Sequence, residues 1–145
     1  MKLKHLTTAL AAAGAAFILY IGLSYLIAPQ SIAPGFGVSG WPEQDGTAFL
    51  IKGLRDTASG LVVLALLLNG QRRALGWALA ALAVVPTGDM LIVLNDGGHP
   101  GIAYGVHGLT ALTVAATAAL LLRERPQHAP ARLAATRRDP ARLGG

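Results

Sequence analysis

The chain has 145 residues, enough for one domain, and 13% of them are charged, about half the share in an ordinary soluble protein. It contains no cysteine, which excludes disulfides, thiolate catalysis and cysteine-ligated metals. The formal net charge of +5 does not indicate nucleic-acid binding, because the basic residues flank apolar stretches and no soluble fold remains to present a groove-binding face.

Four apolar stretches predict an all-α protein, a four-helix transmembrane bundle. At 1.5 Å per residue, each stretch is long enough to cross a hydrocarbon core of roughly 30 Å. The first follows a basic start but is too long for the apolar region of a signal peptide, so we expect a retained helix. The predicted helices span about residues 6–28, 48–68, 74–94 and 102–122. Residues 1–125 would form this membrane domain, and residues 126–145 a disordered basic tail.

The positions of the basic residues predict the orientation. Except for Lys52 and Arg55, every Lys and Arg lies near a terminus or in the connector between the second and third stretches. The positive-inside rule then places both termini of this multi-pass membrane protein in the cytoplasm. The basic tail is expected to contact anionic lipid, and docking of a cytoplasmic partner is the alternative.

The second stretch carries charges that cannot all lie outside the membrane. Without its first turns, only Thr57 to Leu68 would remain, which is about 18 Å of helix against a core of about 30 Å. Counting from the predicted cytoplasmic helix ends places polar side chains of all four helices in one layer, roughly 18 to 24 Å deep. This layer contains Tyr20, Lys52, Arg55, Asp56, Asp89 and His107.

Charges at membrane depth are expected to face inward and to pair, because exposure to lipid is costly. Lys52 and Arg55 balance the two aspartates, and we predict that Arg55 lies within hydrogen-bond reach of Asp56 or Asp89. Lys52 is expected to extend toward the outer interface. An ion-pair network that only fixes helix packing is the alternative to a functional site.

The same layer supplies the candidate site residues. Asp89 and His107 are the candidate acid and base, since a carboxylate and an imidazole can exchange a proton near neutral pH. The candidate ligand-binding residues are Tyr20, Lys52, Arg55, Asp56 and Tyr104. The tyrosines equally suit a membrane interface or helix packing. No ligand spacing supports a metal site, and no phosphate-loop or dinucleotide motif appears, so we predict neither metal nor cofactor.

Several motifs in combination resemble the DUF4267 family of small bacterial membrane proteins. They are Ile51-Lys52-Gly53-Leu54-Arg55-Asp56, Gly70-Gln71-Arg72-Arg73-Ala74-Leu75-Gly76-Trp77, Pro86-Thr87-Gly88-Asp89 and Tyr104-Gly105-Val106-His107-Gly108. The resemblance covers roughly residues 3–125. It implies the membrane topology and no reaction. A looser similarity to DoxX-like four-helix proteins is one of architecture only.

Two classes of function remain open. In the first, an outward-opening polar pocket binds a small lipophilic or anionic molecule and carries out proton transfer on it. In the second, the protein is a non-catalytic accessory or scaffold whose polar layer only fixes packing. A proton or solute pathway fits less well, because the cytoplasmic two thirds of the bundle lacks polar groups. The sequence leaves open whether the protein is an enzyme, a homo-oligomer or bound to a membrane partner protein.

Overall fold

The computed structural model describes residues 2–38 and 46–124, and the regular structure in these ranges is entirely helical. The α-helices are α1 (Lys2–Ile27), α2 (Pro29–Ile32), α3 (Thr47–Leu68), α4 (Arg72–Leu82), α5 (Val84–Asn95), α6 (Pro100–Ile102) and α7 (Leu109–Arg123). A 3-10 turn, Ala33–Phe36, follows α2, and a π-helical turn, Ala103–Gly108, joins α6 to α7. The all-α prediction is therefore confirmed.

Three segments are long and apolar enough to cross a membrane: Leu3–Ile27, Arg72–Asn95 and Pro100–Arg123. They make the chain a membrane protein by length and composition. Helix α3 has 22 residues but carries three charges in its first turns, so its composition alone does not place it in this group. The four-helix bundle and the orientation of the termini stay predictions. The predicted tail, residues 126–145, lies outside the described residues.

Helices α1 and α3 form the most extensive helix contact, and glycines bring their backbones together. A Cβ atom at Gly22 would lie 2.5 Å from the backbone nitrogen of Thr57, and one at Gly53 would lie 2.8 Å from the Gly22 carbonyl oxygen. Gly60 lies equally close to the side chain of Leu19. Small residues allow such close approach in membrane proteins, where van der Waals packing holds helices together.

Helices α4, α5 and α7 form the second packed group. The third apolar segment is interrupted at Ala83, between α4 and α5. Pro86 explains the interruption, because it has no N–H to donate to the Leu82 carbonyl four residues earlier. Gly76 allows α4 to pack closely on α7, since a Cβ there would lie 2.9 Å from the Leu122 side chain.

The two helix groups meet at the end of the bundle that carries Arg72, here called the Arg72 end. A buried apolar cluster joins all four long segments there: Ala11, Ala15, Val63, Leu75, Leu79, Ala118 and Leu121. Arg72 of α4 also makes a bidentate hydrogen-bonded pair with Glu124 and donates to Thr7 of α1. These three residues, the Arg72 clamp, tie α1 and α4 to the end of α7.

The segment after α1 folds over the opposite end of the bundle, the Phe36 end. Gly37 has φ +93°, which an L side chain rarely adopts, and its carbonyl accepts from the backbone N–H of His99 at 3.3 Å. A Cβ at Gly98 would lie 2.0 Å from that carbonyl oxygen. The first half of this segment, which connects α1 to α3, therefore packs on the turn between α5 and α6. This contact holds Phe36 at this end of the helices.

Candidate functional site

Four ionisable residues, Lys52, Asp56, Asp89 and His107, form a polar cluster beneath Phe36. The Lys52 ammonium donates to Asp89 Oδ2 at 3.2 Å, across the gap between α3 and α5. It also lies 3.0 Å from Asp56 Oδ2, one helical turn along α3, at an angle too poor for a hydrogen bond. The three side chains are only 11%, 14% and 4% exposed, so both ion pairs are nearly dry.

His107 reaches the cluster from the π-helical turn Ala103–Gly108. Its Nε2 atom lies 2.9 Å from the Phe36 carbonyl oxygen. A carbonyl can only accept a hydrogen bond, so Nε2 must carry the proton. The other ring nitrogen, Nδ1, lies 4.0 Å from Asp89 Oδ2. Asp89 thus has the ammonium on one side and an imidazole nitrogen on the other.

Aromatic rings surround the ammonium on its remaining sides. The Lys52 Nζ atom lies 5.0 Å from the Phe36 ring centroid and 5.6 Å from that of Tyr25, distances at which cation–π attraction stabilises a positive charge. Phe36 also meets the His107 ring edge-on at 4.8 Å, and Tyr25 stacks on Phe49 at 5.9 Å. The rings therefore cover part of the ammonium surface.

The charges of the polar cluster do not balance when His107 is neutral. One ammonium faces two carboxylates, which leaves one negative charge in a nearly dry site. One further positive charge, or one proton, would make the cluster neutral, and unbalanced charge is costly in a low-dielectric interior.

A cavity of about 540 Å³ runs from the polar cluster into the interior of the bundle. Lys52, Asp56, Asp89, His107 and Tyr25 border it at the Phe36 end. Beyond them the wall is almost wholly apolar, with Leu, Ile, Val, Ala and Phe side chains from α1, α3, α4, α5 and α7. The cavity is therefore amphipathic along its length, with one polar end and one long apolar part.

A second pocket of about 340 Å³ lies on the other side of the Lys52–Asp89 pair. Phe36, Lys52 and Asp89 border both spaces and form the wall between them. Arg55 and Asp96 line the second pocket only.

The structure corrects the predicted positions of four candidate residues. The pairing prediction for Arg55 is wrong: its side chain is exposed, and within the described ranges it makes no ion pair. Lys52 does not extend outward but turns inward between the two aspartates. Tyr20 and Tyr104 are 65% and 60% exposed and border neither space. The other three candidates, Asp56, Asp89 and His107, lie together as expected.

Two residues of the site were not predicted. Tyr25, which is not among the candidate residues, is 2% exposed and borders the cavity. Phe36 was part of a connector with no recognisable motif. The only sequence signal for either is an aromatic beside a Pro- and Gly-rich segment, which is common and unspecific. No group of three His, Asp or Glu residues suited to a metal ion occurs in residues 2–38 and 46–124.

The Arg72 clamp is a second buried polar group, at the opposite end. Thr7 is fully buried and donates to Glu124 Oε1 at 2.6 Å, while Arg72 Nη2 donates to the same oxygen at 2.7 Å. The hydrogen bond from the Arg72 guanidinium holds the pKa of Glu124 below its ordinary value. The clamp closes the Arg72 end and borders neither of the two spaces described above.

Comparison with known proteins identifies the family. The chain belongs to the family described as Domain of unknown function (DUF4267), whose sequence profile matches residues 15–121. The matched range contains the whole polar cluster and all but the first turns of the cavity wall. No curated protein and no solved structure matches the chain.

Proposed function

We propose that this DUF4267 protein is a four-helix protein of the bacterial plasma membrane, with both termini in the cytoplasm, that binds a lipophilic molecule bearing one polar head group. One observation carries the proposal: a single cavity of about 540 Å³ passes from an apolar wall to a cluster of four ionisable side chains. This volume lies within the range of roughly 300–1,000 Å³ for small-molecule sites, which typically combine apolar walls with a few placed polar groups.

The polar cluster favours a neutral head group over an anionic one. Its two carboxylates face one ammonium, so an added anion would be repelled unless a proton came with it. A hydroxyl or carbonyl head could accept from Lys52, and a hydroxyl could also donate to Asp89, without changing the charge. Of the lipophilic and anionic ligands that the sequence left open, the lipophilic one fits better.

Proton transfer to or from the head group is the chemistry that the cluster supports. The Nδ1 atom of His107 lies 4.0 Å from Asp89 Oδ2, and both residues border the cavity. The Phe36 carbonyl fixes the tautomer that leaves Nδ1 facing Asp89. A ligand head beside Asp89 would therefore lie next to a group able to give or take one proton.

A non-catalytic accessory or scaffold role is the second candidate. The observation that favours it is that the Lys52–Asp89 pair bridges α3 and α5, which otherwise make little contact. In this role the polar cluster would join the helix groups as the Arg72 clamp does, and the cavity would hold no specific ligand.

Mass spectrometry of the purified protein distinguishes the two roles. Ser59 borders the cavity, and its neighbour Ala58 is exposed and does not, so Ser59→Phe fills the cavity while Ala58→Phe is the matched control. We expect a lipophilic molecule to copurify with the wild type and with Ala58→Phe, and to be lost from Ser59→Phe.

The isosteric Asp89→Asn variant tests the role of the head group. We expect it to remain folded but to retain about tenfold less ligand, the effect of losing one charge-assisted hydrogen bond. If all variants hold the same unspecific mixture of membrane lipids as the wild type, the scaffold role is the better description.

A further inference from the structure

The central cavity reaches the surface mainly on one side of the bundle. Seven residues that border it are exposed, and six of them form its mouth: Ala13, Gly14 and Phe17 on α1, and Val106, Leu109 and Thr113 on the π-helical turn and α7. The seventh, Gly35, lies in the 3-10 turn at the Phe36 end. A Cβ added at Gly14 would meet no other atom within 4 Å, so the α1 side of the mouth borders open space.

The sides of the cavity along α3, α4 and α5 are closed, since no bordering residue there is exposed, and Val63 and Leu79 are buried. The buried apolar cluster and the Arg72 clamp close the Arg72 end. The wall formed by Phe36, Lys52 and Asp89 separates the cavity from the second pocket. At the Phe36 end only Gly35 is both exposed and part of the lining, so the larger opening lies between α1 and α7.

The mouth lies at the middle of two membrane spans. Gly14 is near the centre of Leu3–Ile27, and Leu109 and Thr113 flank the centre of Pro100–Arg123. The side chains around the mouth are apolar except for Thr113, whose hydroxyl donates to the Leu109 carbonyl at 2.8 Å and is thus already satisfied. Nothing at the mouth attracts water or a charge.

We infer that the mouth is a lateral portal through which the ligand passes directly from the hydrocarbon core of the membrane. The inference rests on the proposed membrane placement and cavity function. The polar cluster lies about eleven residues further along α1, at the level of Tyr25, which corresponds to roughly 16 Å. A ligand with its head at the cluster would thus lie along the bundle with its tail directed to the portal. The portal selects long-chain, membrane-dissolved lipophiles, whose tails can extend into the bilayer.

Thiol labelling tests the portal without knowledge of the ligand. The chain has no cysteine, so Ser59→Cys introduces a single thiol on the cavity wall opposite the mouth. In proteoliposomes we expect an uncharged, membrane-dissolved maleimide to label this thiol at least about tenfold faster than a sulfonated, impermeant maleimide, because a charge enters an apolar space at high cost. Equal or faster labelling by the impermeant reagent would show access from water and overturn the proposal.

Blocking the mouth gives the second part of the test. Gly14→Phe, combined with Ser59→Cys, should slow labelling by the membrane-dissolved reagent about tenfold, since a full aromatic ring then fills the opening. Ala12→Phe is the matched control, because Ala12 is exposed on the same helix and does not border the cavity. Leu109→Trp, from the opposite side of the mouth, repeats the test if Gly14→Phe fails to fold.

The labelling result is independent of the ligand-binding result. Slow labelling in the blocked variants alone supports the portal even if no lipophile copurifies with the wild type. Unchanged labelling in both Gly14→Phe and Leu109→Trp would exclude the portal, and the ligand-binding proposal would still stand on its own measurement.

Discussion

Lys52 is the residue on which the polar cluster depends, because it is the cation that contacts both Asp56 and Asp89. Two carboxylates this close would repel each other strongly without the ammonium between them. The rings of Phe36 and Tyr25 contact the ammonium and limit its access to water. The stability of the Phe36 end should therefore respond to changes at this lysine more than at any neighbouring cation.

Lys52→Met should lower the free energy of unfolding by about 3 kcal/mol, because it leaves nearly dry carboxylates without a partner. Adding Asp56→Asn should recover much of this loss, since Asp89 then keeps His107 as its partner. Arg55→Met is the matched control and should change stability by less than about 1 kcal/mol, as its side chain is exposed and unpaired within the described ranges. Denaturant unfolding in detergent measures the stability of all three variants. The pairing would be contradicted if Lys52→Met alone were as stable as the double variant with Asp56→Asn.

Glu124 should make the Arg72 end sensitive to acid. Its pKa is lowered in the folded protein by the Arg72 hydrogen bond. A lowered pKa means that the stabilisation is complete above the unfolded-state value, about 4.3 for glutamate, and is lost as the pH falls through the folded-state value. We expect the melting temperature to fall as the pH is lowered below about 4. Glu124→Gln should be less stable at pH 7 and should lose most of this pH dependence; an unchanged pH profile would contradict the clamp.

The depths of the site residues could be predicted from the sequence, but not the directions in which their side chains point. Counting 1.5 Å per residue placed Tyr20, Lys52, Asp89 and His107 at one level. Which of them turn inward depends on helix rotation, and each residue turns the helix face by about 100°. Tyr20 therefore faces outward, while Tyr25, which was not assigned to the layer, borders the cavity.

Among the helices, α1 and α3 are held together by glycines rather than by large side chains. The chain repeats these contacts along the interface at Gly22, Gly53 and Gly60, each with a neighbour too close for a Cβ atom. Close backbone contact of this kind replaces the hydrophobic effect, which does not drive helices together within lipid. The interface should consequently tolerate no added methyl group at its closest points.

Gly22→Ala should destabilise the protein by about 1–3 kcal/mol, because the new methyl group would overlap the Thr57 backbone, which cannot rotate away. Gly14→Ala on the same helix is the matched control and should be neutral or slightly stabilising, since its Cβ would meet open space. Thermal unfolding of both variants in detergent measures the difference. Equal melting temperatures would show that α1 and α3 are further apart than described.

The lengths of the apolar stretches predicted the helices. They did not predict where those helices are irregular. Pro86 accounts for the interruption between α4 and α5. The π-helical turn Ala103–Gly108 had no signal in the sequence, because a π turn results from competing tertiary contacts rather than local preference. It matters for the site, since it carries His107.

At the scale of the molecule, the protein consists of two packed helix groups. They are joined firmly at the Arg72 end, whereas few contacts connect them at the Phe36 end. The Lys52–Asp89 pair and the His107–Phe36 hydrogen bond provide most of the described polar contacts across the gap. The cavity is the space that this arrangement leaves open. Such a volume could not be predicted from the sequence, because it depends on how two groups of helices diverge.

Reporter fusions test the proposed orientation. Fusions after Arg72 and after Arg125 should report a cytoplasmic location, and fusions near Ser39 and Gly98 an external one, because eight of the twelve Lys and Arg residues lie at the first two sites and none at the other two. The Phe36 end would then face outward and the Arg72 end the cytoplasm. The reverse pattern would place the polar cluster in the cytoplasmic third of the membrane.

The most direct test of ligand binding is an experimental structure of the unmodified protein in lipid nanodiscs. We predict elongated density in the central cavity, with its head within hydrogen-bond distance of Asp89 or His107 and its tail directed between Gly14 and Leu109. The Lys52–Asp89 pair should be intact beside it. A cavity closed by contact of α1 with α7, with no density beside the polar cluster, would contradict both the proposed binding site and its portal.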